Sequence, residues 1–176
     1  MVWIDCEMTG LDPDTHVLVE VAALVTDSEL NILGDGVDVV IRPPEGSLDH
    51  MAPVVRRMHT DSGLLEELEG GVSLAEAERR VLDYVTAWVP EAGAAPLAGN
   101  SVHADKAFLR LGMPKLTEHL HYRIIDVSTI KELAARWYPE ARAGAPAKTG
   151  NHRALGDIRD SIEELKHYRR TVFRAL

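Results

Sequence analysis

The first residues of the chain alternate. Val2, Ile4, Cys6 and Met8 fall on one side, Trp3, Asp5 and Glu7 on the other, and a period of two predicts a strand. Asp5 and Glu7 therefore leave the same face, one pleat apart. Thr9-Gly10 ends the strand, and Leu11-Asp12-Pro13-Asp14 reads as a turn. Alternation returns from His16 to Thr26, with Val17, Val19, Val21, Ala23 and Val25 sharing a face, and again from Val37 to Arg42. Asp27 to Asn31 supplies a turn between these two, and Gly34 with Gly36 marks a second bend. Short connections predict a three-stranded antiparallel meander, closed by Pro43-Pro44.

The pattern is less regular from Glu45 to Gly71, where His50 to Met58 predicts a short helix interrupted near Pro53 and Ser62-Gly63 a break. Ser73-Leu74-Ala75-Glu76 is a capping box, followed at helical spacing by Ala77, Val81, Leu82, Val85 and Trp88. Pro90 and Gly93 stop that helix. Pro96 to Asn100 is a short strand running into a polar loop, and Ala104 to Leu111 a helix. Arg123 to Val127 is a further strand, and Thr129-Ile130-Lys131-Glu132 opens a helix that Pro139 ends. Ala143 to Asn151 reads as a loop. The last helix, from about Arg153 to Phe173, sets Ile158, Ile162, Leu165, Val172 and Phe173 on one stripe. The order predicts an α/β fold, a mixed five-stranded sheet with helices on both faces.

Composition changes little in this picture. With 176 residues, 45% hydrophobic and 27% charged, residues 1–176 are expected to form one domain. No apolar run approaches the roughly 20 residues of a membrane span, and the start lacks the pattern of a signal peptide. The single cysteine, Cys6, excludes an internal disulfide and fits a reducing cytoplasm. Cys6 points away from the Asp5/Glu7 face and reads as a small core residue. Charge is more telling: a net −9 repels a long polyanion, since grip on long nucleic acids rests on a basic track. A short anionic substrate in a local cationic or metal-filled pocket is compatible with it.

The chemistry begins with Asp5 and Glu7. Paired carboxylates on an apolar strand repel each other and resist desolvation, and a divalent cation relieves both penalties. Two exposed acids on an edge strand are the alternative. Asp105 follows Gly99-Asn100-Ser101 at a strand-to-helix transition. His152 opens the last helix, with Asp157 five residues on, about 500° around it, so the two side chains are offset rather than stacked. Taken singly, Asp105 reads as a helix cap, Asp157 as a first-turn acid and His152 as a surface residue. Together they form a pattern.

Asp5-x-Glu7, then Asp105, then His152 with Asp157 at five resembles the DEDDh class of 3′-to-5′ exonucleases, which implies a ribonuclease H-like exonuclease fold. The flanks narrow the likeness to the oligoribonuclease family: Trp3-Ile4-Asp5, Glu7 to Leu11, Gly99-Asn100-Ser101, Phe108-Leu109, His121-Tyr122-Arg123, Asp126 to Thr129, and Ala154 to Leu165. The resemblance runs from about Val2 to Tyr168. It implies that Asp5, Glu7, Asp105 and Asp157 hold two divalent ions, and an all-carboxylate set favours Mg²⁺ or Mn²⁺ over zinc. It implies His152 as the base that takes the proton from the attacking water. Short single-stranded RNA, dinucleotides above all, is the implied substrate, 5′-mononucleotides the product and a homodimer the working form.

The family's substrate contacts fall on Leu11 as an apolar wedge between the bases and on Ser101 at the 5′ phosphate. Arg123 and Ser128 match positions supplied to the same phosphate by the partner subunit, and Tyr122 matches a residue stacking on the 5′ base across the dimer. His59 lies in the stretch that contacts the 3′ nucleotide. Two positions depart from the family pattern: Val54 stands where a tryptophan is usual, and Gly156 where an acid commonly precedes the ligand aspartate.

Overall fold

The computed structural model describes residues 1–148 and 152–173. Its five-stranded sheet has the order β3-β2-β1-β4-β5, so β1 (Val2–Met8) lies at the centre. β1 pairs antiparallel with β2 (Leu18–Thr26), and β2 antiparallel with β3 (Ile32–Val40), the expected meander. β4 (Pro96–Gly99) and β5 (His121–Asp126) extend the sheet in parallel from the other edge of β1.

The period of two sorts β1 between two cores. Val2, Ile4 and Cys6 pack with Ala77, Val81 and Val85 of α3 (Leu74–Trp88), Phe108 and Leu109 of α4 (His103–Gly112), and Leu116 of α5 (Pro114–His119). Trp3 turns the other way, onto Val127 and Ala134 of α6 (Val127–Trp137) and Ile158, Ile162 and Leu165 of α8 (Ala154–Thr171). Helices thus cover both faces. Each fully buried side chain of this kind contributes about 1.5–3 kcal/mol by leaving water. Two short helices, α1 (Pro53–Asp61) and α2 (Leu64–Glu67), follow a 3₁₀ turn at Ser47–His50, and α7 (Pro139–Ala143) follows α6.

Several expectations shift. β3 begins at Ile32 and takes Gly34 and Gly36 into the strand instead of bending there. Both have positive φ, 73° and 89°, and the β2 register slips opposite them between Ala23 and Val25. The Tyr84 hydroxyl fills the irregularity, accepting from the Val25 amide at 3.2 Å and donating to the Leu33 carbonyl at 3.0 Å. α6 starts at Val127 because the Asp126 carboxylate accepts from the Ser128 amide as its cap. α6 ends at Trp137, before Pro139 as expected, and Pro139 then begins a further helix, α7, its ring suiting a first helical position. On α8 the fully buried Tyr168 takes the place in the apolar stripe expected of Phe173, which lies past the helix end and is 53% exposed. Residues 149–151, the end of the expected 143–151 loop, lie outside the described residues.

The turn before α3 is tight. The Arg42 amide donates to the Val72 carbonyl at 2.8 Å and the Val72 amide to the Val40 carbonyl at 3.0 Å, so Gly71 lies against the backbone of Ile41 and Arg42. A Cβ there would meet Arg42 N at 2.6 Å and Ile41 C at 2.8 Å, whereas one on Gly70 meets nothing within 4 Å. Gly71→Ala is expected to destabilise the fold by about 1–3 kcal/mol, and Gly70→Ala to leave it within about 0.5 kcal/mol. Urea unfolding of the pair checks this, and equal losses would contradict it.

Candidate active site

β1 presents Asp5 and Glu7 on the Trp3 face, where α8 packs, and α8 brings Asp157 to them from its first turn. One carboxylate oxygen from each of the three lies within 4.8 Å of the others. Asp105, in the first turn of α4, stands outside that trio among the described residues. It is buried, and its Oδ1 accepts from the Cys6 amide at 3.0 Å. The strand that offers two carboxylates thus holds a third through its own backbone.

The electrostatics follow from crowding acids in a dry place. Burial, then the charges of Asp105, Asp157 and Glu7, push the Asp5 carboxyl up to about 9, with the Lys148 ammonium acting against them. Burial, then Glu20, Asp157 and Asp105, lift Glu7 to about 8, opposed by Arg153. Asp105 rises to about 7 through burial, although the Cys6 amide favours its charged form. Asp157 is raised by burial, while Lys148 and His152 pull it the other way. Cys6 is buried on the opposite face, as its alternation implies, and its thiol is held well above its usual range, chiefly by burial. Carboxylates that burial and one another's charge hold back from ionising are a donor set that a hard divalent cation would ionise and neutralise. Three oxygen donors so close together fit such an ion.

His152 is exposed and precedes α8 by two residues, with φ at +49°. The rotation expected between His152 and Asp157 does not apply, because His152 lies outside the helix. His59 is wholly buried. Its Nε2 lies 2.8 Å from the Met8 carbonyl and its Nδ1 3.7 Å from Glu7 Oε2, so it backs the carboxylate cluster rather than facing solvent. Leu11, just past β1, is 83% exposed, and Val54 at the start of α1 is 72% exposed.

A second group gathers at the end of β4. Ser101, at φ +52°, sets its Oγ 3.1 Å from Ser128 Oγ. One oxygen, Asp126 Oδ1, accepts from the Ser101 and Ser128 amides, both at 2.9 Å. Ser128 Oγ also donates to Asn100 Oδ1 at 2.9 Å, and the Asn100 amide nitrogen reaches Ser161 and Glu164 of α8. The resemblance implies Ser128 as a partner-supplied residue, but it meets Ser101 within one chain. The two border a groove of about 460 Å³ that also touches His103 and Arg136. Tyr122 and Arg123 stand on β5, the sheet's edge strand, with Tyr122 71% exposed and the Arg123 guanidinium 5.0 Å over its ring.

Two residues beside the carboxylates, Glu20 and Arg153, belong to no local motif. Glu20 sits directly opposite Glu7 in the β1–β2 ladder and is 0% exposed. Its Oε2 accepts from the Ala154 amide at 3.0 Å and its Oε1 from Arg153 Nε at 2.8 Å. A lone acid in the run Leu18-Val19-Glu20-Val21-Ala22 was the available signal, since a buried charge requires a partner. The partner lies 133 residues away in the chain, beyond the reach of any local pattern.

Comparison with known proteins gives consistent results. The RNase_T family, described as an exonuclease family, matches residues 2–165. An oligoribonuclease of Streptomyces griseus is 64% identical over 173 residues, covering 98% of this chain and 86% of the relative. The oligoribonuclease of Cutibacterium acnes is 58% identical over 172 residues, covering 98% and 85%. Among solved structures, exonuclease I from Methylocaldum szegediense superposes with a TM-score of 0.71 at 20% identity, over 97% of this chain and 40% of that one. E. coli exonuclease I in complex with a dT13 oligonucleotide gives 0.72 at 18%, over 97% and 41%. The chain thus spans about two-fifths of those longer proteins, which share its fold. With the family match running almost end to end and relatives near two-thirds identical, this chain belongs to the oligoribonuclease family of exonucleases.

Proposed function

We propose that residues 1–176 form a single 3′-to-5′ exoribonuclease domain that hydrolyses short single-stranded RNA, dinucleotides above all, to 5′-mononucleotides. The observation that carries this reading is the convergence of Asp5, Glu7 and Asp157 oxygens within 4.8 Å, in a chain whose relatives are oligoribonucleases. The family implies divalent metal ions. Asp5, Glu7 and Asp157 would hold one, Asp5 with Asp105 a second, with Mg²⁺ or Mn²⁺ suiting an all-oxygen set. Such ions supply neutralising charge to the phosphate and its attacking and leaving oxygens.

The chain's own residues do the rest. An imidazole nitrogen of His152 takes a proton from the attacking water as its oxygen bonds to phosphorus. The P–O3′ bond breaks, and the leaving 3′-oxygen of the preceding nucleotide is protonated from solvent. Exposure of His152 suits a group that must pass its proton on between turnovers. Leu11 wedges between the bases, and buried His59 acts on the 3′ end through Glu7. Ser101 and Ser128 receive the 5′ phosphate. In a homodimer, Tyr122 and Arg123 of each copy reach the other's substrate. A closed 5′ end sets the length limit, and the net −9 charge disfavours longer strands. Val54 offers no aromatic face to the 3′ base, where stacking contributes ~1–3 kcal/mol. No helix among the described residues is long and apolar enough to cross a membrane, and the lone buried cysteine supports a cytoplasmic site of action.

With 5′-labelled RNAs of two and seven nucleotides and Mg²⁺, the dinucleotide is expected to be cleaved the faster and chelator to abolish cleavage. Preference for the seven-mer, or indifference to chelator, would contradict the reading. Asp157→Ala is expected to reduce kcat by about 10³-fold or more, since it removes a ligand that reaches the site only through α8. Single-turnover assays check it. With ions chelated, the folded protein holds protons on Asp5, Glu7 and Asp105 that the unfolded chain releases near pH 4. Stability from these groups is therefore fully present below about pH 4, falls as pH rises above that value, and is fully lost once pH has passed the folded values of about 7 to about 9. Thermal unfolding in chelator should show a fall across that window, and added Mg²⁺ a stabilisation that grows with pH; a flat response contradicts it.

A further inference from the structure

The start of α8 carries an arrangement that the proposed reaction does not use. Arg153 is the N-cap of α8, yet its side chain makes no local capping bond. The helix's first amide, that of Ala154, goes to Glu20 on β2 at 3.0 Å. The Arg153 guanidinium then bridges two carboxylates. Nε and Nη2 approach Glu20 Oε1 at 2.8 and 2.7 Å, while Nη1 and Nη2 grip Glu67 of α2 at 2.9 and 3.0 Å. The planar fork suits this two-sided grip, which an ammonium cannot reproduce. Glu20, fully buried, would be an unbalanced charge without it.

The position of the bridge gives it meaning. Glu20 stands opposite Glu7 in the ladder, so one residue adjoins the carboxylate strand and bonds the helix that delivers Asp157. Arg153 also directly follows His152, whose positive φ is strained for a residue with a Cβ and persists only where its neighbours hold it. We infer that Arg153, clamped between Glu20 and Glu67, is a positioning residue that fixes His152 and the first turn of α8 over the β1 carboxylates. The inference rests on the reading of this pocket as a hydrolytic site. The clamp takes no proton and touches no substrate; it sets where the groups that do so are found.

The test uses the full chain, free of ligand, labelled with [¹⁵N]histidine, and the variant Arg153→Lys, which keeps the charge and loses the fork. The His152 ring ¹⁵N resonances, which report the imidazole's surroundings rather than the identity of the next residue, are expected to shift or broaden. Those of His119 and His167, bonded to the Val89 and Ala141 carbonyls elsewhere in the fold, should stay. On the RNA dinucleotide kcat should fall about 10–100-fold, the range for lost supporting contacts around a metal site, with KM within about threefold. A merely structural ion pair would lower Tm and leave the His152 resonance and kcat in place, and that result overturns the inference. So does a shifted resonance with unchanged kcat. Should Arg153→Lys not fold, Glu67→Gln decides. Its side chain is 47% exposed, and it is expected to move the same resonance and lower kcat about 2–10-fold. An unmoved resonance there overturns the clamp. If the unaltered chain leaves the dinucleotide intact, the exoribonuclease reading fails, and the spectrum still decides whether Arg153 holds His152.

Discussion

Negative charge buried at the middle of a sheet is the constraint on which the structure turns. β1 is the central strand, covered by helices on both faces, yet it carries Asp5 and Glu7, receives Asp157 from α8 and holds Asp105 on its backbone. Without ions these groups stay partly protonated, because ionising all of them in a dry pocket is unfavourable. The surrounding features moderate that charge. The Cys6 amide donates to Asp105, Lys148 and Arg153 oppose the carboxylates, and Glu20 is balanced by a helix amide and a guanidinium. The fold tolerates a destabilising centre because two separate cores, on either side of Trp3 and Ile4, hold the sheet around it.

What the sequence discloses is what local chemistry decides. Alternation in Val2 to Met8 gives both the strand and the shared face of Asp5 and Glu7. The Ser73 capping box gives α3, with Ser73 Oγ accepting from the Glu76 amide at 3.2 Å as the motif requires. Gly34 and Gly36 mislead, since positive-φ glycines mark a bulge inside a strand as readily as a turn, and only the Tyr84 hydroxyl on the facing helix tells which. His152 misleads in a similar way. It looks like the first helical residue because Asp157 follows at five, but the helix begins where Glu20 accepts its first amide, a decision made by a distant strand. The five acid and imidazole positions are legible as an ordered pattern. The residues that support them, Glu20, Arg153 and Asn100, are defined by contacts across the fold.

The two sides of the sheet divide the labour. In the meander, β1 is largely buried and β2 buried along its whole length, while β3 is a partly exposed edge; the two inner strands form the buried base beneath the carboxylates. The parallel side is open. β5 lies at the edge, with Tyr122 and Ile124 exposed, and the Lys106 ammonium donates to the Tyr122 carbonyl at 2.7 Å. An edge strand with aromatic and cationic side chains, on a chain of net charge −9, is a local reversal of the protein's electrostatic character.

Asp126 ties this open side together. It caps α6 and, through the same oxygen, fastens the β4–α4 loop by its Ser101 amide. The spacing of the two serine backbones is therefore written into the main chain, and each hydroxyl is placed by rotation about its own Cα–Cβ bond. Such a pair behaves as a caliper on a fixed hinge: its tips meet at 3.1 Å here, and they part only as far as two short side chains can swing.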